Sequence, residues 1–321
     1  MKTRKLGYSD LHLTPIGLGT WAMGGGDWKF GWGDQDDGSS IASVHQALDA
    51  GINWIDTAAI YGHGHAEKVV GKAIHDRRAE VIVATKCGRV WEGESREIGK
   101  CLQHDSIHQE VDASLRRLGI DHIDLYQIHW PEPDAEIEEG WGAVSELIDA
   151  GKIRYAGVSN FNLEQLKRIQ SIHPVTSLQP PYSMLRRDVE HEILSYCLEN
   201  QIGVLAYSPM QAGLLTGKFT IQRVENLPPN DWRKSNPFFT SPQLESNLQV
   251  VEKLRPIANQ LEISLSQLAL AWILRRCELT AAIAGARRPE QICETVRAGD
   301  ISLSNDTVQA IETILSQDAS A

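Results

Sequence analysis

Titratable and amide side chains recur at the ends of short apolar runs in this 321-residue chain. Asp56-Thr-Ala-Ala-Ile-Tyr61-Gly62 follows one run, and Ala84-Thr-Lys86 and Gln127-Ile-His129-Trp130 end two others. Ser159-Asn160, Gln179 and Tyr207-Ser208-Pro209 stand at corresponding places further on. Tyrosine, lysine, histidine and carboxylate side chains move protons in general acid–base catalysis, and lysine also forms Schiff bases with carbonyls. Singly, each has a plainer role: Tyr61 as a loop aromatic, Lys86 as an ion-pair partner, His129 as a hydrogen-bonded core histidine, Asp56 as a cap. Four such residues on one rim are harder to explain that way, so the elements that carry them decide the matter.

Those elements alternate. Short apolar, β-branched runs at Ile16–Trp21, Ile52–Ala59, Val81–Gly88, Ile123–Trp130, Ile153–Asn160, Thr176–Ser183, Gly203–Met210 and Leu279–Ala286 read as strands. Helical patterns follow them at about Ser39–Ala50, Ala66–Asp76, Ser106–Leu118, Glu138–Asp149, Leu163–Ser171, Val189–Glu199, Ser246–Leu261 and Pro289–Val296, with an extra one near Ser266–Arg275. Strands apolar on both faces and separated by helices belong in a parallel sheet, and eight such units predict an α/β fold, a (β/α)8 TIM barrel occupying 1–321 as one domain. Tight helix-to-strand joints, such as Ala50-Gly51 and Ala150-Gly151-Lys152, contrast with long loops after strands at Ala22–Gly38, Arg89–Asp105 and Gln211–Glu245. Long loops on one face are what a barrel enzyme's pocket requires. Arg4–Leu6 and Leu11–Leu13, around Gly7–Asp10, read as a β-hairpin plugging the opposite end.

Composition narrows the function. With 42 acidic against 31 basic residues the net charge is −11, and no basic run offers a footprint for nucleic acid or an anionic membrane. No stretch reaches the length of a membrane span, and no apolar segment marks the N-terminus as a signal. The five scattered cysteines form no CxxC or zinc pattern, so they read as free thiols in a reducing cytoplasm. His63 and His65 stand close together without a third ligand at a recognisable spacing, and no metal is expected.

Taken together, Gly19-Thr-Trp21, Asp56–Gly62, Thr85-Lys86, Ile128-His129-Trp130, Gly157-Val-Ser-Asn-Phe161, Gln179, Tyr207-Ser-Pro209 and Gly285-Ala…Gln291…Glu294 occur in the order and at the strands seen in aldo-keto reductases. The chain resembles that family over nearly its whole length, in the bacterial and plant branch near the potassium-channel β-subunits. The resemblance implies a catalytic tetrad of Asp56, Tyr61, Lys86 and His129, with Tyr61 as general acid. A free tyrosine has a pKa of about 10, and a nearby ammonium favours the phenolate, so Lys86 is expected to lower it. Asp56 would hold Lys86, and His129 would hydrogen-bond the substrate oxygen.

The resemblance also implies an extended nicotinamide cofactor beside Gly19, Thr20, Trp21 and Asp56. Ser159, Asn160 and Gln179 would bind the carboxamide and Tyr207 would stack under the ring. The segment Ser208, Pro209, Met210, Gly213, Leu215 and Lys218 would wrap the pyrophosphate, which Lys218 and Arg233 would neutralise. Gly285, Arg287 and Arg288 precede a helix N-terminus, where an anion is favoured, so the 2′-phosphate of NADP(H) is expected there. Gln291 and Glu294 match adenosine-contacting positions; Thr295 stands where the family often has Asn.

Substrate walls are expected from Trp21, Tyr61, Trp91, His129 and Trp130, with Trp28 and Trp232 in packing or wall roles. An aromatic mouth suits an apolar or aromatic carbonyl compound. The sequence thus reads as an NADP(H)-dependent carbonyl reductase. Two alternatives stand beside it: an NADPH-binding regulatory subunit with little turnover, and a lyase using Lys86 as a Schiff base. Oligomeric state is not legible in the sequence.

Overall fold

The structure, a computed structural model, describes residues 2–91 and 97–318. An antiparallel ribbon of β1 (Arg4–Lys5) and β2 (His12–Leu13) opens the chain. Strands β3 (Ile16–Gly19), β4 (Trp54–Asp56) and β5 (Ile82–Cys87) follow, and a second ribbon pairs β6 (Arg89–Trp91) with β7 (Ile98–Lys100). Strands β8 (Ile123–Ile128), β9 (Ile153–Ser159), β10 (Ser177–Gln179), β11 (Gly203–Ala206) and β12 (Leu279–Gly285) complete a closed barrel with β3 to β5. Its eight strands are parallel, and β12 closes on β3 with Gly285 beside Gly19. Nearly every strand residue is buried, because side chains fill the interior and helices cover the outside.

The eight expected strands are present, trimmed at their ends for local reasons. Thr176–Ser183 shortens to β10 because Pro180 and Pro181 follow, and proline has no N–H for the ladder. Helices α1 (Asp37–Asp49), α2 (His65–Ile74), α3 (His104–Leu118), α4 (Ile137–Asp149) and α5 (Leu163–Gln170) lie near their expected positions. Asp36 caps α1, and Asn162 forms a reciprocal cap with Gln165 at α5. Helix α6 (Ile193–Glu199) is shorter than expected, with a separate turn at Asp188–Glu190 before it. Among the rest, α8 (Gln243–Gln260), α9 (Leu265–Leu274) and α10 (Pro289–Thr295) match expectation, whereas α7 (Ile221–Glu225) and α11 (Asn305–Asp318) were not anticipated. Helix α11 is anchored by buried Ile311 and by Glu312, which pairs with Arg187 at 2.7 Å and Arg275 at 2.8 Å. No described helix is long and apolar enough to cross a membrane.

The hairpin plugs the barrel as expected. Leu6, Leu11 and Leu13 are buried against Trp54, Leu125, Leu205 and Ile283 inside the barrel floor. Gly7, in the left-handed region at φ +53°, lets the chain approach so closely that a Cβ would stand 2.4 Å from the Thr176 carbonyl oxygen. The floor is therefore packed, and the long loops stand at the other end.

Candidate active site

Asp56 ends β4 and Lys86 lies on the neighbouring β5, where the register pairs Asp56 with Ala84. That offset points both side chains inward at one level. Lys86 Nζ donates to Asp56 Oδ1 at 2.9 Å, to Oδ2 at 2.8 Å and to the Thr57 carbonyl at 2.8 Å. Three donors meet three acceptors, which is what a fully buried ammonium needs to stay charged. Tyr61 follows on the turn after β4, its ring centroid 5.3 Å from Lys86 Nζ and 5.9 Å from the His129 ring. The turn is pressed on the first long loop: at Gly62 (φ +60°) a Cβ would lie 2.1 Å from the Gly24 oxygen. His129 continues from β8, its N–H bonded to the Cys87 carbonyl at 3.0 Å. The four residues brought forward by the sequence therefore meet.

Their electrostatics depart from one expectation. Burial, then the Asp56 carboxylate and Tyr207, push the Tyr61 phenol well above its ordinary value instead of lowering it. The physical reason is that taking the phenol out of water penalises its charged form, and the Asp56 carboxylate nearby adds to that penalty. Burial, Lys86 and Arg89 hold His129 well below the usual imidazole range, so its ring is neutral. Burial also lowers Lys86, while Asp56 works against that shift.

Amides continue the network. Gln179 Nε2 donates to Asp56 Oδ1 at 2.8 Å, and Asn160 Nδ2 donates to the His129 carbonyl and to Ser159 Oγ, both at 3.0 Å. Tyr207 Oη donates to Asn160 Oδ1 at 2.9 Å, and Ser159 Oγ to the Gln179 carbonyl at 2.8 Å. Gln127, beneath Gln179, is fully buried with its Nε2 unbonded. Asn160 at φ +64° and Ser208 at φ +51° mark where the chain turns sharply off β9 and β11 to present these groups.

Above the network opens a cavity of about 1500 Å³, larger than the roughly 300–1,000 Å³ usual for one small ligand. Tyr61, His129, Trp130, Ser159, Asn160, Gln179 and Tyr207 stand at its inner end. Gly19, Thr20, Trp21, Ser208, Pro209, Met210, Gly213 and Gly285 line its course, and Lys218, Arg233, Arg287, Arg288, Gln291 and Glu294 its outer end. Trp21 is stacked between Tyr61, at 6.1 Å, and Trp232, at 5.1 Å. A cavity of this volume, lined by a proton-donor cluster and by guanidinium groups, has room for a nicotinamide dinucleotide plus a small substrate.

Several outer residues hold different partners from those expected. Arg233 is buried in a two-point pair with Asp231, at 2.9 and 2.6 Å, and its guanidinium lies 4.5 Å from the Trp32 ring centroid. Its charge is thus neutralised from within. Arg287 ties the first loop down, donating to Gln35 Oε1 at 2.8 Å, to the Trp32 carbonyl at 3.2 Å and to the Asp34 carbonyl. Gln291 Oε1 accepts from the backbone N–H groups of Arg287 at 2.8 Å and Arg288 at 3.1 Å, capping α10. Lys218 pairs with Glu294 at 3.4 Å. Leu215 is buried in the main core rather than on the cavity wall, because the loop turns its apolar side inward. Trp91 is also off the wall, held 5.5 Å from the His63 ring and 5.7 Å from the Arg117 guanidinium. Trp28 lines the wall while buried in the core. The sequence reading missed Arg89, Ile98, Lys100 and Glu132, which the β6–β7 ribbon and the loop after β8 bring to the inner end. Arg89 and Lys100 both pair with Glu132, at 2.6 and 3.0 Å.

The Aldo/keto reductase family profile matches residues 15–316. The chain belongs to the aldo/keto reductase family. It is 38% identical over 318 residues to aldo-keto reductase YhdN of Bacillus subtilis (strain 168), a match spanning 98% of this chain and 94% of that one. The NADH-specific methylglyoxal reductase of Escherichia coli (strain K12) is 38% identical over 317 residues, 95% of each chain. Among solved structures, the glycerol dehydrogenase AKR11B4 from Gluconobacter oxydans superposes with a TM-score of 0.89 at 35% identity, covering 100% of this chain and 97% of that one. Membership makes the protein an oxidoreductase of carbonyl compounds using a nicotinamide cofactor.

Proposed function

We propose that the chain works as one cytoplasmic barrel domain that reduces small aldehydes and ketones to alcohols with NADP(H), Tyr61 being the general acid. The carrying observation is the Tyr61, Lys86, Asp56 and His129 cluster at the barrel mouth, beneath a cavity of about 1500 Å³, roomy enough for a dinucleotide. When bound, the cofactor supplies the hydride. Tyr61, raised in pKa and therefore protonated, donates its proton to the carbonyl oxygen, and neutral His129 hydrogen-bonds the same oxygen. Lys86 and Asp56 hold the floor under the phenol. Asn160, Ser159 and Tyr207, already bonded to one another, form the rigid polar patch that orients the nicotinamide.

The preference for NADP(H) rests on Arg287 and Arg288: neither pairs with a carboxylate among the described residues, so the outer end keeps positive charge for a phosphomonoester. Burial lowers Arg287, and Arg233 and Arg288 add to that shift while Asp231 and Asp34 oppose it; an anion in contact with the guanidinium would relieve it. The relative named for NADH shows that 38% identity does not fix this choice. Trp21, Trp28 and Trp130 on the wall favour an apolar or aromatic substrate.

Titrating the protein with NADPH and NADH, read by tryptophan fluorescence, and then adding an aromatic aldehyde while following oxidation of the reduced cofactor tests the reading. Tighter NADPH binding and aldehyde-dependent turnover are expected. Tight binding without turnover for any aldehyde or ketone would replace it with a nucleotide-binding regulatory role, and preference for NADH would overturn the cofactor assignment.

A further inference from the structure

The outer wall of the barrel carries a second group of ligating side chains that takes no part in the cavity. His104 and His108, four residues apart on α3, share one helix face with ring centroids 4.4 Å apart. Glu146 reaches across from α4 and presents one oxygen to both: Oε2 lies 2.9 Å from His104 Nε2 and 3.5 Å from His108 Nε2. Two ligand atoms on a tetrahedral zinc ion, at bond lengths near 2.0–2.1 Å, stand about 3.3 Å apart, a spacing these two distances bracket. All three ligand atoms lie within 4.8 Å of one another. The buried Nε2 of His108 makes no hydrogen bond, so nothing else in the protein uses that nitrogen. His104 also has the outer carboxylate that metal-binding histidines use, its Nδ1 being 3.1 Å from Asp105 Oδ1, so an ion at Nε2 would take the place of the proton that Nε2 shares with Glu146 Oε2 at 2.9 Å. The His104 and Glu146 side chains are 45% and 59% exposed, so an ion and a completing water reach the cluster from their side, with the enclosed His108 Nε2 facing it from within.

We propose that His104, His108 and Glu146 bind a divalent transition-metal ion, zinc fitting their N/N/O set best, and that the ion staples α3 to α4. The corner is already tied, since the His104 N–H donates to Glu139 Oε1 and the Leu102 N–H to Glu136 Oε2, both at 2.9 Å. The ion therefore meets ligands held on two anchored helices. It sits four residues after Lys100 of β7, which lines the cavity, so it would also steady the root of that ribbon. The expectation of no metal was drawn from the scattered cysteines and from His63 and His65, and did not weigh the His-x3-His pair in α3.

The probe is Co²⁺, titrated into untagged protein and read by its visible absorption, with Zn²⁺ as displacing ion. One site per chain is expected, with affinity falling about tenfold or more in His104→Ala and His108→Ala and by less in Glu146→Gln. Saturating Zn²⁺ should raise the melting temperature of the wild type and leave that of the double histidine variant unchanged. Carbonyl reduction should be the same in all variants. Absence of Co²⁺ binding, or binding that survives in the double variant through the exposed Cys277 and Cys293, would overturn the site. Wild-type affinity in Glu146→Gln would overturn the staple.

Discussion

At the inner end of the cavity the polar groups come from strand ends and hold one another: Lys86 has all three donors filled, and Asp56 is shared between Lys86 and Gln179. At the outer end the polar groups come from loops and from α10, and several of their bonds run between loops, as when Arg287 holds three acceptors between Trp32 and Gln35. The first arrangement has one geometry, which acid catalysis needs, since a displacement of an ångström removes most of the effect. The second can exchange partners when an anion arrives, which suits a grip on nucleotide phosphates. Substitutions at the inner end should therefore act on turnover, and those at the outer end on cofactor affinity.

The largest effect is expected for Tyr61→Phe, with kcat falling about 10²–10⁴-fold while the NADPH dissociation constant stays within about twofold of wild type. Equal losses in both would erase the division between the two ends. Lys86→Met comes next. It leaves Asp56 buried without its cation, so a loss of about 3–5 kcal/mol in stability is expected in urea titrations, together with lost turnover. Adding Asp56→Asn should restore most of the stability and none of the activity. If it restored both, the pair would be a scaffold only.

A pH profile sharpens the contrast without mutation. Tyr61 is raised, so the proton-donating phenol persists below its pKa and aldehyde reduction should stay flat from neutrality into the alkaline range. Alcohol oxidation needs the phenolate, whose fraction grows about tenfold per pH unit below that pKa, so its rate should climb over the same range. His129, already neutral, should add no limb near pH 6. A smaller change is expected for Arg288→Ala: about tenfold weaker NADPH binding, with NADH binding and kcat unchanged. The smallest belongs to Trp91→Ala, whose kcat/KM should remain within about twofold of wild type. A large rise in KM there would return Trp91 to the substrate wall.

The same division governs what the sequence discloses. The eight strands were legible because barrel strands are apolar on both faces and helices separate them, and the tetrad because each member sits within a few residues of a strand end. Asp56 and Lys86 meet through strand register, which follows from the fold. The partners of Arg233, Arg287 and Gln291 depend on how the loop around Trp32 folds over β12 and α10, a contact between segments about 250 residues apart that carries no local signal. Trp91 and Leu215 were misplaced for the same reason, since loop side chains face the cavity or the core according to turns that periodicity does not encode. The β6–β7 ribbon escaped notice because three-residue strands are too short for alternation to register. The sequence also suggested that Lys86 would acidify Tyr61; the depth of the phenol's burial, which a place near a strand end does not disclose, raises it instead.

The most direct test is a single-turnover experiment in which enzyme preloaded with NADPH is mixed rapidly with an aromatic aldehyde, wild type against Tyr61→Phe. The account predicts equal cofactor loading and a hydride-transfer rate at least about 100-fold slower in the variant. Comparable rates in the two proteins would contradict it.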